Sequence, residues 1–335
     1  MKRLLPFLSA VLVMFAVSQI TAQVNERDRA IKYYLDGNDI EAILALEAIV
    51  KQKQYASDAE VINYLGLAYQ NALDDKKARK MFEKAVKLQP ENGIYRANLA
   101  YVYLLARQLN KSQDQAEKAL KLDPSNTSAL YVMGTADLWE GKLDNASAMA
   151  EKMLATNSAF APGYVLKADV LLAALGLRVT ANSSIKDNIA FLKQAVEILE
   201  AGVKNSPPKS NRKTLDEKLE GIKVFYEHFS KNGSVTPAIE PPTPEPGVTP
   251  VKITYKPRAS YTDSARSAGV QGTIRLAVLL GANGKIVHIL KLKGLGYGLD
   301  EQAIGAARSI RFKPKTRDGV PVSTVITLEY GFSIY

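Results

Sequence analysis

The residue types that most often carry catalysis are scarce in this chain. It has 335 residues and no cysteine, which excludes disulfides, thiolate zinc sites and thiol nucleophiles. The two histidines, His228 and His288, are far apart in sequence, which nearly excludes histidine metal sites and Ser-His-Asp catalysis. The chain has no pair of carboxylates and no group of possible metal ligands whose spacing in the sequence differs from what chance would produce. The sequence therefore predicts a protein that is not an enzyme and holds no metal or cofactor.

One glycine-rich loop has the composition of a phosphate-binding loop. Gly294-x-Gly296-x-Gly298 directly precedes a predicted helix. It lacks the Lys-Ser/Thr pair of a P-loop and the strand–helix context of a dinucleotide-binding fold. We interpret it as a flexible loop.

Positive charge is concentrated at the C-terminal end. The formal net charge is +10, and residues 251–335 hold 13 basic and 5 acidic side chains, whereas residues 23–250 hold 29 of each. A basic surface can attract nucleic acid, anionic lipid or another acidic polymer. Because no DNA- or RNA-binding motif accompanies the charge, we predict a solvated surface and no nucleic-acid partner.

Residues 1–22 have the pattern of an export signal. Lys2 and Arg3 precede the apolar stretch Leu4–Val17, and Ala22 offers a cleavage point. This stretch is shorter than the ~20 residues of a membrane-spanning helix, so we expect cleavage after Ala22. The alternative is an uncleaved anchor. Both interpretations predict that the chain is exported across a membrane. An uncleaved anchor would also keep it associated with that membrane.

Residues 23–231 are predicted to form one helical domain, and within it the chain repeats at a step of 34 residues from Asn25 to about Ser206. The small residue Gly66 recurs as Ala100 and Gly134, with weaker copies before and after. A small residue there lets the two helices of a hairpin approach closely, while large residues such as Phe82 fill the space between them. The pattern resembles the tetratricopeptide repeat. The resemblance implies an all-α solenoid, since one hairpin cannot bury its apolar face alone.

The first helices of such a solenoid line a concave groove that commonly holds a peptide. The alternative is that the aromatic residues among them pack between neighbouring helices. The candidate groove residues are Asn63, Leu67, Gln70, Ala97, Tyr101, Tyr131 and Thr135.

Residues 232–250 are predicted to be a linker. Six prolines lie between residues 237 and 250, which favours extended polyproline that spans about 43 Å at ~3.1 Å per residue. We interpret the segment as a stiff spacer between two domains.

Residues 251–335 change to a period of two. Ile274, Leu276 and Val278 lie on one face of a strand, and Gly281-Ala282-Asn283-Gly284 predicts a hairpin turn. A helix follows from Leu299, and a last alternating strand begins at Thr324. With a short helix near residues 262–268, the order is helix, two-strand hairpin, helix, strand, which makes a small α+β domain.

The same elements contain a string of specific residues: Pro257, Tyr261, Ala265-Arg266-x-x-Gly269-Val270-x-Gly272-x-Ile274, Gly284-Lys285-Ile286, Leu299-Asp300-x-x-Ala303, Arg311-Phe312-Lys313-Pro314 and Gly319-x-Pro321-Val322. This order and these residues resemble the C-terminal domain of the TonB energy-transducer family. The resemblance covers about the last 80 residues and does not extend to the front half of the chain. It implies the periplasm of a Gram-negative-type bacterium.

The TonB resemblance implies a binding module. Known relatives recruit an extended segment of an outer-membrane transporter by adding it to a sheet edge, where unpaired N–H and C=O groups form hydrogen bonds with an incoming strand. The alternative is that the last strand pairs internally or with a second copy. The predicted edge residues are Ser323, Thr324, Val325, Ile326, Thr327, Leu328, Glu329 and Tyr330.

Together the patterns predict a multidomain chain, an all-α tetratricopeptide solenoid followed by a small α+β domain. We expect a cell-envelope adaptor for protein partners that is linked to TonB-dependent transport across the outer membrane. The alternative is a periplasmic scaffold for envelope or cell-wall assembly with no transport role. An uncleaved N-terminal segment would anchor either one to the inner membrane.

Overall fold

The computed structural model describes residues 26–178, 185–207, 212–232 and 246–334. The chain divides into two compact units, Met1–Ala129 and Leu130–Tyr335. The predicted export signal and most of the predicted proline-rich linker lie outside the described residues. Those two features stay predictions.

The first unit is helical, and each helix packs against the next along the chain. Side-chain caps begin several helices: Asp58 accepts hydrogen bonds from the N–H groups of Glu60 and Val61, and Asn92 from those of Ile94 and Tyr95. The helices are α1 (26–35), α2 (Asp39–Lys51), α3 (Ala59–Asn71), α4 (Asp75–Leu88), α5 (Gly93–Leu105) and α6 (Leu109–Leu122).

Close packing of α3 on α4 confirms the register of the repeat. Phe82 is fully buried, and a Cβ atom on Gly66 would lie 2.6 Å from its ring. Leu65 and Tyr69 are buried in the same cluster. Helices α4 and α6 both end two residues before a proline, at Leu88 and Leu122, because proline cannot continue the helix.

The second unit begins with helices of the same kind and continues with longer ones. Ala150 and Met153 of the second helix in this unit are fully buried. The helices are α7 (Thr127–Trp139), α8 (Leu143–Thr156), α9 (Ala161–Arg178), α10 (Ile185–Asn205) and α11 (Lys213–Asn232).

Where the structure describes the second unit, its strands form three antiparallel sheets. The largest has the order β4-β3-β8, and the smaller ones are β1-β6-β7 and β2-β5. The strands are β1 (Val248–Thr249), β2 (Lys252–Tyr255), β3 (Gly272–Leu280), β4 (Ile286–Lys293), β5 (Arg311–Lys313), β6 (Lys315–Arg317), β7 (Val320–Val322) and β8 (Thr324–Phe332), with helices α12 (Asp263–Ser267) and α13 (Leu299–Arg308).

The predicted order of helix, hairpin, helix and strand is confirmed by α12, β3–β4, α13 and β8. The short strands were not predicted. Arg311–Lys313, which follow the helix predicted from Leu299, form β5, and its partner is β2. The end of the predicted linker forms β1, where Val248 pairs with Arg317. Strands this short have no hydrophobic period that a sequence pattern could show.

Apolar side chains are buried on both faces of β3, the central strand of the large sheet. The predicted face of β3, including Ile274, Leu276 and Val278, packs with α13 in one core cluster. The opposite face contributes Ala277 and Leu279 to a second cluster formed with α9, α10 and α11. The helices that end the repeat region therefore cover the face of the sheet that α13 leaves open.

A substitution at Gly134 tests the register of the repeat. A Cβ atom there would lie 2.6 Å from Leu166 Cδ2 and 2.9 Å from Met149 Cβ. We expect Gly134→Leu to lower the free energy of unfolding by about 1–3 kcal/mol or more through overpacking, measured by chemical denaturation. The control is Gly305→Leu, at an exposed helical position with nothing within 4 Å, which should be neutral or stabilising. Equal stability of the two variants would contradict the register.

Candidate functional site

β8 is an outer strand of the large sheet. It pairs with β3 from Thr324 to Phe332 and, within the described residues, with no second strand. An outer strand leaves every second backbone N–H and C=O group without a sheet partner. Seven of the eight predicted edge residues lie in β8. Ser323 precedes the strand, and its hydroxyl accepts a hydrogen bond from the Ala282 N–H at 3.2 Å.

Lys256 identifies the backbone groups of β8 that face outward. Its ammonium donates a hydrogen bond to the Glu329 carbonyl oxygen at 2.8 Å and lies 4.9 Å from the centre of the Tyr330 ring. A carbonyl that binds a side chain from outside the sheet faces away from β3. Because these directions alternate along an antiparallel strand, the N–H groups of Val325, Thr327 and Glu329 face outward.

The side chains of β8 are committed to packing and pairing. Val325 is 1% exposed and belongs to the cluster with the helices. The Glu329 carboxylate pairs with Arg275 at 2.6 Å, and another Arg275 nitrogen donates to the Gly176 carbonyl of α9 at 2.5 Å. Burial raises the pKa of Tyr330 to about 12. The outward backbone is therefore the part of β8 that is suited to a partner.

The other outer strand, β4, is approached by two helices. A Cβ atom on Gly176 of α9 would lie 2.6 Å from the Leu292 carbonyl oxygen, and one on Gly221 of α11 would lie 2.5 Å from His288 Nε2. The His288 ring also meets Phe225 edge-on, with centroids 5.8 Å apart. Helices α9 and α11 therefore contact β4 directly, whereas β8 has β3 as its one strand partner within the described residues.

Both histidines are packing residues. Burial lowers the pKa of His288 and of His228. His228 is 8% exposed, although it lies near the C-terminal end of α11. The reason is that α11 packs against other elements along its length, including α9, α10 and β4.

Asp300 organises the glycine-rich loop. Its Oδ1 accepts hydrogen bonds from the N–H groups of Leu295 at 2.8 Å and Gly296 at 3.2 Å, and its Oδ2 accepts one from Lys291 at 2.8 Å. Burial by itself would raise the pKa of Asp300, but the Lys291 ammonium and the backbone donors outweigh it, so this pKa is lowered. The N–H groups that could have met a phosphate already bind this carboxylate.

The predicted groove residues of the first unit lie on α3 and α5. Asn63 and Ala97 are buried, and Asn63 Oδ1 accepts a hydrogen bond from Asn98 at 2.9 Å. Leu67, Gln70 and Tyr101 are half-buried. Asn63 and Ala97 therefore pack between helices, whereas part of the surface of the other three residues is exposed to solvent.

The predicted groove residues of the second unit, Tyr131 and Thr135, line a cavity of about 280 Å³. Side chains of α7 and α9 form its helical walls. The end of β4 and Gly294 close it from the sheet. Sequence reasoning missed this contribution of the sheet, since no local pattern links α7 to β4.

Two family models match the chain. Residues 257–334 match the one described as Gram-negative bacterial TonB protein C-terminal, and residues 59–92 match the tetratricopeptide repeat. The chain therefore combines tetratricopeptide repeats with a TonB C-terminal domain. Both are protein-interaction modules, and together they indicate a protein-binding adaptor of the Gram-negative envelope.

Several solved structures are similar to part of this chain. "Crystal structure of MamA protein" is 20% identical, with 54% of this chain and 94% of that chain covered at a TM-score of 0.42. A thermophilic tetratricopeptide protein of Thermus thermophilus is 15% identical, with 60% and 99% covered at 0.48. Both TM-scores are below 0.5. The assignment of the two modules therefore rests on the two family models. No curated protein matches the chain.

Asp300→Asn tests the role of the buried carboxylate. The variant keeps an oxygen for the two loop N–H groups but loses the charge that pairs with Lys291. We expect the free energy of unfolding at neutral pH to fall by about 1–3 kcal/mol. Because the pKa of Asp300 is lowered on folding, its contribution is present above the unfolded value of about 4 and is lost as the pH falls through the folded value.

Denaturation at several pH values measures this effect. The difference between wild type and Asp300→Asn should shrink below pH about 4. Asp263→Asn is the control, since Asp263 is exposed in α12, and it should change stability by less than about 0.5 kcal/mol. A difference that is constant with pH would contradict the assigned charge pairing.

Proposed function

We propose that this protein is an envelope adaptor that binds an extended segment of an outer-membrane transporter by adding it as a strand to β8. The observation that carries the proposal is the outward backbone of this strand, at Val325, Thr327 and Glu329. Strand addition obtains affinity from main-chain hydrogen bonds and specificity from side-chain pockets. The helices packed on the large sheet support this choice of edge, because they cover β4 and leave β8 open.

The proposed location is the periplasm of a Gram-negative-type bacterium. The sequence of residues 1–22 and the TonB C-terminal domain support export. No helix of the described residues is long and apolar enough to cross a membrane. N-terminal sequencing of the native protein measures whether Ala22 ends a cleaved signal. A start at Gln23 supports a released periplasmic protein, and a retained segment supports an anchored one.

The half-buried residues of the first unit support a second, separate contact. Leu67, Gln70 and Tyr101 lie on the first helices of successive hairpins, where tetratricopeptide proteins commonly bind peptides. We propose that a partner segment contacts them. A chain that binds partners only here, and no transporter segment at β8, would be the periplasmic scaffold without a transport role.

Lys256 limits the length of edge that is immediately available. Its ammonium occupies the outward carbonyl of Glu329, which is the acceptor for an N–H of an incoming strand. Lysine at a sheet edge is a common device against unwanted strand pairing. An incoming strand can pair at once near Val325 and Thr327, and it displaces Lys256 to extend further.

Thr327→Pro tests strand addition. Thr327 is half-buried and its N–H faces outward, so proline removes a donor from the edge and no bond to β3. The probes are synthetic peptides copied from the N-terminal segments of the outer-membrane transporters of the same bacterium. We expect the variant to stay folded and to bind these peptides at least tenfold more weakly than wild type by calorimetry.

The neighbouring variant Ile326→Pro is the matched control. The Ile326 N–H faces β3, so proline there should break the ladder and lower the melting temperature sharply. Thr327→Pro with wild-type affinity would overturn addition at this edge. A wild-type dimer in sedimentation that Thr327→Pro abolishes would show that a second copy occupies the edge.

Lys256→Ala tests the proposed competition at Glu329. Removing the ammonium frees the carbonyl for an incoming N–H, so we expect peptide affinity to rise severalfold. Lys252→Ala is the control, because Lys252 is exposed on β2 and its substitution removes the same charge. Equal effects of both variants would mean that Lys256 acts through charge alone.

A further inference from the structure

Two ladders of short strands in the second unit form one continuous ribbon. Val248 pairs with Arg317 in the β1–β6 ladder, and Lys252 pairs with Lys313 in the β2–β5 ladder. The same number of residues separates the two pairs on each side, so the two ladders have the same register. Each of these intervals contains a proline, which has no N–H group to donate to a ladder. The prolines therefore interrupt the hydrogen bonds of the ribbon but not the alignment of its two sides.

One face of this ribbon packs into the domain core, and the other faces solvent. Ile253 and Phe312, which pair with each other, lie partly buried against the cluster that contains α13. Because side chains alternate between the two faces of a strand, the odd-numbered residues from 311 to 317 share the outward face. Alternate residues of a strand are about 7 Å apart, so these four side chains form a row about 20 Å long. All four are basic: Arg311, Lys313, Lys315 and Arg317.

The cations of this row are not balanced by ion pairs within the part of the chain that the structure describes. Lys252 lies directly opposite Lys313, and like charges at opposite positions of an antiparallel pair are destabilising. The ion pairs within residues 246–334 involve other side chains. Positive charge that is held along a strand in this way favours an anionic partner. We call the five cations the basic ribbon face: Lys252, Arg311, Lys313, Lys315 and Arg317.

Exposed apolar side chains flank both ends of the basic ribbon face. Tyr255, opposite Arg311, is 53% exposed, and the Arg311 guanidinium lies 5.8 Å from the centre of its ring. Val320, opposite Arg317 on β7, is 63% exposed. Tyrosine is enriched at membrane–water interfaces, and lysine and arginine near a membrane are attracted to anionic lipids. An acidic protein segment would satisfy the cations but not the exposed apolar side chains, so the face favours lipid.

We propose that the basic ribbon face binds the surface of a bilayer that contains anionic phospholipid. The ammonium and guanidinium groups contact lipid phosphates, and Tyr255 and Val320 lie at the level of the headgroups. Binding here holds the second unit against a membrane without a membrane-spanning helix. The proposal concerns side chains of the ribbon, whereas strand addition concerns the backbone of β8, so each proposal can fail without the other.

Flotation with lipid vesicles tests the proposal without any peptide partner. The protein begins at Gln23, because the apolar stretch Leu4–Val17 would bind vesicles by itself, and it keeps every described residue. We expect it to float with vesicles of phosphatidylcholine and phosphatidylglycerol but not with phosphatidylcholine alone. Binding should weaken at high salt, since the Debye length falls to about 3 Å at 1 M.

Two outcomes of this experiment would overturn the proposal. The first is no flotation with the phosphatidylglycerol vesicles. The second is binding to soluble poly-glutamate, measured by calorimetry, without flotation, which would assign the face to an acidic protein.

A pair of double variants locates the binding face. Each cation contributes about fivefold in affinity, so Lys313→Gln with Arg317→Gln should bind the phosphatidylglycerol vesicles at least tenfold more weakly than wild type. The matched control is Lys152→Gln with Lys285→Gln, which removes the same charge from exposed positions on α8 and between β3 and β4. It should bind nearly as tightly as wild type. Circular dichroism confirms that each variant is folded. Equal loss in both double variants would show that net charge alone drives binding and would refute this face.

Discussion

The second unit depends on one constraint, that β3 has apolar side chains on both faces. Helix α13 covers Ile274, Leu276 and Val278, and the helices α9, α10 and α11 cover Ala277 and Leu279. A three-stranded antiparallel sheet with one covered face would expose the second apolar surface to water, and burying such surface is the main driving force of folding. The end of the repeat region and the strand domain therefore form one packed structure, although their sequences resemble separate modules.

This packing distinguishes the two edges of the large sheet. Gly176 and Gly221 lack side chains at the points where α9 and α11 meet Leu292 and His288 of β4. Larger residues would hold the helices away from the strand. The helices approach the sheet on this side, whereas β8 pairs within the described residues with β3 alone, and its Glu329 carbonyl accepts a hydrogen bond from Lys256.

The same packing creates the cavity beside Thr135. Helices α9 and α11 pack on β4, and the cavity is lined by residues of α7 and α9 and by the end of β4. Its walls therefore come from both the repeat helices and the sheet.

The sequence by itself determined the repeat register, the five main elements of the C-terminal domain and β8 as the candidate edge. These features depend on local periods: 34 residues for the hairpins, and alternation for strands. The unbroken apolar run Leu276–Leu280 was also a signal of a second buried face. Only the tertiary structure decided what covers that face, which N–H groups of β8 point outward and that Thr135 lines a cavity. Those features depend on contacts between residues that are far apart in the sequence, such as Arg275 and Gly176, which are 99 positions apart. A local sequence pattern does not reveal such contacts.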